Sequence, residues 1–416
     1  LYSSLKNKTV LSKRRALMKM RKPERTSSTK GFRNVIALGF VSFFTDVSTE
    51  MILGILPFFI VEELKATKEI FGVIEGLAES VSHIFRMIFG MLSDRLGRRK
   101  AIVFVGYALS NVVKPFFSVA KNWTDALVVR IGDRVGKSIR TSPRDALLSE
   151  SISEEHLGKA FGLHRTLDQS GAIVGPLLTS ILILLVGIGI REVFWLSLIP
   201  GLIALVILLI FVEERAGQRR HVKIMVDVKN VLHKEFVLLL VVLGIFSIGA
   251  FNYSFILLKA GELGAPLALV PLVYTLIQVA HTFVGIPAGA LSDKIGKEPV
   301  LLMGFAAFFS ASLLSIMLEG NLAFAFLIAV VYGIYFGIAE TIQRALIPKY
   351  APTDLRATAY GIYYLTVGLC FLVANIIVGT LWEYSGTSVA FAYSTVTSAI
   401  AVIGILIFIR WRKNVK

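Results

Sequence analysis

The residues in this sequence best placed to do chemistry are ionisable groups set inside long apolar runs. Asp46 and Glu50 stand four apart in the run 34–61, which puts both carboxyls on one face of a helix. At a rise of about 1.5 Å per residue, Asp46 falls about 18 Å in from Asn34, near the middle of a bilayer about 30 Å thick. Within 70–92, Glu75, Glu79, Ser82 and Arg86 form one stripe, with His83 at its edge. Within 123–145, Arg130, Arg134, Lys137 and Arg144 form another, flanked by Asp133 and Arg140, and 157–187 adds His164, Arg165 and Asp168. A bare charge in hydrocarbon costs several kcal/mol, so these groups either pair or work. Two readings follow. In one, a midplane acid carries a coupling proton, Asp46 first and Glu50 second, with His83 as a relay. In the other, acids and bases simply lock the bundle together and His83 packs between helices.

Later runs carry fewer charges and more amides and phenols. Asn252, Tyr253, Gln278, His281, Tyr332, Tyr335, Glu340, Gln343, Arg344, Tyr363, Tyr364 and Asn375 are candidates to face a cavity. Such groups suit an amphipathic organic ligand, or pack against one another. The segment Gly132–Ser138 imitates a phosphate loop, but it has three residues between its glycines where four are needed, and it lies in an apolar run. The acids and His of the first two runs could ligate a metal, yet no His-x-x-x-His or paired Cys sharpens that idea. The expectation is no resident metal or cofactor, and no enzyme, since no nucleophile–base pair is apparent.

The elements that must position these residues are membrane helices. Of the 416 residues, 55% are hydrophobic and only 17% charged, which excludes an ordinary soluble protein. Runs of about 20 apolar residues occur near 34–61, 70–92, 101–120, 123–145, 157–187, 192–212, 235–258, 267–291, 299–318, 322–343, 357–382 and 387–409. The predicted fold is therefore an all-α membrane protein with twelve transmembrane helices in two pseudo-symmetric six-helix bundles. Loops after even-numbered spans are basic (Arg95–Lys100, Arg215–Lys234, Lys294, Lys297, Lys349), and the others are short and near neutral. That alternation places both termini in the cytoplasm and accounts for the net charge of +16 without nucleic acid. The expected organisation is a basic tail 1–33, a first bundle 34–212, a linker 213–234, a second bundle 235–410 and a tail 411–416. The first tail holds eleven Lys/Arg against the single acid Glu24 and no signal-peptide core, so it reads as cytoplasmic rather than as a cleaved leader. The linker ends in Val222, Met225, Val226 and Leu232, spaced for a short amphipathic surface helix. The one cysteine, Cys370, excludes an intrachain disulfide.

A repeat supports two halves. Gly90, Leu92, Ser93, Asp94 and Gly97 recur 199 residues on as Gly289, Leu291, Ser292, Asp293 and Gly296, and Ala160 and Gly162 recur as Ala359 and Gly361. The second copy is altered, with Arg99 and Lys100 replaced by Glu298 and Pro299. Spans 6, 9 and 12 carry no internal charge and span 3 only Lys114, so every third helix should face lipid.

The turn Gly90–Lys100 reads Gly-Met-Leu-Ser-Asp-Arg-Leu-Gly-Arg-Arg-Lys and resembles the loop between helices 2 and 3 of the major facilitator superfamily. That resemblance implies alternating access, with Gly90, Asp94, Arg95, Gly97 and Arg98, and Asp293 and Gly296 in the second half, as the conformational switch. Arg130 matches the Arg of the superfamily's proton-linked helix 4 element, whose Gln and Gly positions hold Asp133 and Arg134 here. Gly171-Ala-Ile-Val-Gly175-Pro176 is similar to an element of its antiporter branches. The stretches 43–51, 133–145 and 160–165 resemble a prokaryotic branch with no settled substrate, in which an Asp usually stands where this chain has Tyr253. The leading expectation is proton-coupled export of small organic molecules by a monomer of the cell membrane. Import or exchange of an anionic metabolite is the alternative; metal transport and a non-transporting receptor stand behind it. Asp46, Glu50, Arg130, Asp133 and Arg134 are the expected proton-coupling residues. Glu79, His83, Asp168, Asn252, Tyr253, Gln278, His281, Tyr335 and Glu340 are the expected substrate contacts.

Overall fold

A computed structural model describes residues 28–96, 99–214, 228–352 and 355–415. Among them the chain is helical throughout, with no strand. Helix α1 (Ser28–Leu53) loosens at Gly54–Ile55 before Pro57, which has no N–H to give, and continues as Leu56–Phe58 and a wide turn Phe59–Glu63. It is followed by α2 (Lys68–Leu96), α3 (Arg99–Val113, tightening over Lys114–Val119), α4 (Trp123–Ser151), α5 (Leu157–Ile181) and α6 (Ile190–Leu196 and Leu198–Phe211). The second half holds α7 (Lys234–Gly249 and Tyr253–Glu262), α8 (Val270–Ile295), α9 (Lys297–Met317), α10 (Leu322–Leu346), α11 (Arg356–Ser385) and α12 (Thr387–Val415).

Ten of these rods are long and apolar enough to cross a membrane. The other two, α2 and α4, are each 29 residues long, and their stripes of charge are what keep them off that count. Outward-facing side chains are apolar where the charge pattern predicts lipid: Ile199, Val206 and Ile210 on α6, and Val396, Ile403 and Ile407 on α12, are exposed.

Local chemistry sets the ends and joints. Asn122 caps α4 by accepting from the Asp125 N–H at 2.9 Å. In α7 the backbone turns extended at Ala250, and the Asn252 side chain restarts the helix by accepting from Ser254 N–H at 2.9 Å. Gly296 ends α8 at φ +97°, a left-handed value that favours glycine, which explains why the repeat keeps a glycine there. Its counterpart Gly97 lies outside the described residues, as do Val222, Met225 and Val226 of the linker, while Val228–Val231 forms a short helix and Leu232 is exposed.

In the first half α5 packs along α1 and α4 between α2 and α3. The α5–α1 approach is close: a Cβ on Gly171 would stand 2.3 Å from the Phe43 carbonyl oxygen. The antiporter-like Gly171–Pro176 segment thus seats α5 directly against the helix that carries Asp46 and Glu50. In the second half an aromatic cluster of Phe246, Phe305, Phe308, Tyr332 and Tyr335 fills the space between α7, α9 and α10. The halves meet along two seams, α2 on α11 and α5 on α8.

Candidate functional site

Four α4 cations, Arg130, Arg134, Arg140 and Arg144, each stand within 4.0 Å of a carboxylate. Arg130 grips Glu75 of α2 with two bonds, at 2.9 and 2.7 Å, and both side chains are fully buried. Asp133 accepts from Ser110 at 2.6 Å and lies 3.8 Å from Arg130 and 3.7 Å from Arg134. Arg134 pairs with Glu79 at 3.2 Å. A buried ion pair holds only when its spare hydrogen-bonding capacity is filled, and the second half supplies the last bond: Asn252 donates to Glu75 at 3.1 Å. Lys114, the one charge in the apolar run of α3 after Lys100, donates to Thr49 at 2.6 Å and to Asn111 at 3.1 Å.

The two acids of α1 meet different partners. Asp46 lies 4.0 Å from Arg140, whose guanidinium stacks 4.3 Å over the Tyr107 ring. It also lies within hydrogen-bonding reach of Asp168 on α5. Asp168 in turn stands 3.7 Å from Arg144 and 3.5 Å from Arg165. Arg144 donates to Ser42 at 3.1 Å, and Ser42 bonds both His164 and Tyr107. Glu50 reaches across to the second half, accepting from the Tyr274 hydroxyl at 2.6 Å, with Gln278 at 3.5 Å. Among the described residues Glu50 has no ion-pair partner.

From Asp168 the network crosses to the other half. Arg165 contacts Glu340 of α10 at 3.0 Å, and the same carboxylate takes His281 at 2.7 Å and Arg344 at 3.1 Å. The Thr282 hydroxyl donates to Gln169 at 2.9 Å beside this bridge. Side-chain exposure falls steadily along the cleft, from 49% at Arg165 and 45% at Arg344 through 16% at Asp46 to 0% at Glu75. The cleft between the halves is therefore open on the side where α10 ends. It is closed where α1 ends and α2 begins, by contacts such as Lys68 N–H with Glu383 at 2.9 Å.

Of the expected substrate contacts, Glu79 meets Arg134, Asp168 meets Arg144 and Arg165, Asn252 meets Glu75, Gln278 stands beside Glu50, His281 pairs with Glu340, and His83 stacks on Tyr364. Tyr253 stacks on Tyr274 at 4.6 Å, next to Glu50. Tyr335 instead sits in the aromatic cluster, 4.8 Å from Phe308 and 5.3 Å from Tyr332, which makes it a packing residue here. Of the expected switch, Gly90, Asp94 and Arg95 fall within α2, with side chains outside the description, and Gly97 and Arg98 lie outside it altogether. Asp293 is exposed, 3.5 Å from Lys297. Among the described residues no three His, Cys, Asp or Glu side chains gather as a metal site. Sequence reasoning missed Tyr274. Its signal was faint, a phenol one helical turn before Gln278.

Comparison with known proteins decides the family. The model of the Major Facilitator Superfamily matches residues 38–363 and 237–416. The chain belongs to this superfamily. An MFS-type transporter of Methanocaldococcus jannaschii is 34% identical over 387 residues, covering 91% of this chain and 95% of that one. A protein of Cupriavidus pinatubonensis named "Probable 4-methylmuconolactone transporter" is 26% identical over 363 residues, 82% of each chain. Multidrug resistance protein MdtG of Escherichia fergusonii is 25% identical over 298 residues, 68% of this chain and 71% of that one. Among solved structures, the nucleoside transporter NupG superposes with a TM-score of 0.70 at 13% identity, over 90% of this chain and 98% of that one. The superfamily member described here is thus a multi-pass membrane transporter.

Proposed function

We propose that this transporter couples substrate movement to protons by alternating access, with Asp46 as the proton carrier. One observation carries the reading. Asp46 sits midway along the cleft, beside another carboxyl, Asp168, and standing only loosely, at 4.0 Å, from its nearest cation. Two carboxyls in contact are relieved by one proton between them, and a rearrangement that brings Arg140 or Arg144 closer would release it. Glu50 is the second acid. Its bond to Tyr274 ties the halves together on the closed side, so its ionisation is linked to the opening of that side. Arg130, Asp133 and Arg134, with Glu75 and Glu79, form the fixed counter-charges against which the carrier works.

In this reading the chain crosses the cell membrane twelve times, α2 and α4 included, with both termini in the cytoplasm. The cleft then faces the cytoplasm. The substrate is a small organic molecule held by Glu79, His83, Asn252, Gln278, His281 and Glu340, and a monomer suffices because both walls of the cleft come from one chain. Export is supported by the likeness of α5 to antiporters and by the MdtG relative. A second reading, uptake of an anion together with protons, is supported by the cations on both walls, Arg86 on α2 and Arg344 on α10. Purified protein in liposomes carrying a trapped pH dye tests the coupling. Adding a transported compound should move protons, in opposite senses for the two directions. Substrate flux without any proton movement would exclude coupling.

A further inference from the structure

Most charges in the cleft are spoken for, and the exceptions cluster. Among the described residues Arg86 has no carboxylate within 4.0 Å, and its Nε is buried without a hydrogen-bond partner. Its guanidinium stands 5.8 Å from the centre of the Tyr364 ring. His83, one turn along α2, stacks on the same ring at 5.5 Å, and its Nδ1 is also buried and unpartnered. From the opposite half, Arg344 is a like charge in the surroundings of Arg86, offset by Glu79 and Glu340. Arg344 does hold Glu340, but that single carboxylate is shared with Arg165 and His281. The nearest acid on α2, Glu79, is committed to Arg134 at 3.2 Å. Tyr360 stacks beside Tyr364 at 6.1 Å, and its hydroxyl donates to the Arg344 carbonyl at 2.9 Å, fixing that end of α10.

We propose that Arg86 and Arg344, one from each half, form with His83 and Tyr364 a subsite for the carboxylate of an organic anion carrying an apolar or aromatic body. Arg86 has no carboxylate of its own and Arg344 shares Glu340 with Arg165 and His281, so a ligand carboxylate between them adds negative charge where it is short while matching the planar fork of either Arg. The orphaned donors on Arg86 and His83 give further hydrogen-bonding capacity on the same wall. The stacked phenols Tyr364 and Tyr360 offer a flat apolar surface to the rest of the molecule. A ligand held from both halves also explains how binding alters their relative position, since the anion bridges groups that otherwise push apart.

The anion subsite deepens the transport reading and rests on it for one corollary. Glu50 and Asp46 are the cleft acids without a tight cation, and protonating them leaves Arg86 and Lys137 as uncompensated positive charge. Proton and anion then load together and move in the same direction, which is the second of the two transport readings above.

The test is thermal stability of the purified full chain in detergent with benzoate, 2-naphthoate and hexanoate, each against its own amide, and with phenyl phosphate. At least one carboxylate should stabilise the protein while its amide does not. Arg86→Gln and Arg344→Gln should each weaken that carboxylate at least tenfold. Arg86→Lys, which keeps the charge and loses the fork, should weaken it less, and serves if the Gln variant does not fold. No stabilisation by any carboxylate, equal stabilisation by the amides, or unchanged affinity in the Arg86 and Arg344 variants would overturn the subsite. Stronger stabilisation by phenyl phosphate than by any carboxylate would overturn the carboxylate assignment. Carboxylate binding that needs both Arg residues, with no proton movement in liposomes, would leave the subsite standing and remove the coupling.

Discussion

Glu75 and Arg130 form a two-bond ion pair sealed from solvent on every side, with Asn252 completing the carboxylate. Removing one partner strands the other charge, at a cost of about 3–5 kcal/mol in typical buried pairs. Glu75→Gln should therefore lower the melting temperature clearly, and Glu75→Leu with Arg130→Met should recover most of the loss. A single variant as stable as the parent would show that the pair does not hold the bundle. At this scale the sequence was partly legible. Spacing alone set Asp46 and Glu50 on one face, and burial required partners for both stripes. Which acid met which cation was not legible, because Glu75 and Arg130 lie 55 residues apart and helix rotation decides the match. Tyr335 shows the opposite failure. A phenol in an apolar run reads equally as ligand contact or packing until its neighbours, Phe308 and Tyr332, are known.

The repeat acquires meaning once the helices are placed. Arg99, at the start of α3, pairs with Glu150 at 2.7 Å, and Glu214 accepts from the Arg99 and Lys100 N–H groups. Arg99 and Glu150 have Glu298 and Lys349 in their places 199 positions on, with the charges reversed. Glu298, at the start of α9, takes Lys349 at 2.5 Å and Arg412 at 2.9 Å, with the Tyr350 hydroxyl donating to it as well. One architectural joint is thus built twice, with its charges reversed. Glu298→Lys sets three cations together and should cost roughly 1–3 kcal/mol. Adding Lys349→Glu copies the arrangement of the first half and should restore stability. A double variant no better than the single one would mean that the pair is incidental. The altered turn, in which Arg99 and Lys100 become Glu298 and Pro299, looked from sequence like decay of the motif. It is a change of sign whose partners, some fifty residues away, no local pattern reveals.

For the whole molecule, exposure grades from open to closed along the cleft, and the ties between halves gather at the closed side. The end of α2 lies at the open side, where a closing movement would bring the halves together. Asp94 is proposed to hold that closed arrangement. Asp94→Asn should then raise the accessibility of reporter cysteines on the open side and lower it on the other, without loss of fold. Equal labelling before and after would remove Asp94 from the switch. Helical membrane spans were legible in the hydropathy of the chain, and the exposed apolar faces of α6 and α12 in charge placement. The direction in which the cleft opens was not, because one sequence serves both states. The central claim is that Asp46 carries the coupling proton. Its most direct test is accumulation of a transported compound in liposomes under an imposed pH gradient, beside exchange of that compound at equal pH. Asp46→Asn should exchange at a rate comparable to the parent but fail to concentrate substrate. Accumulation by Asp46→Asn equal to that of the parent would contradict the account.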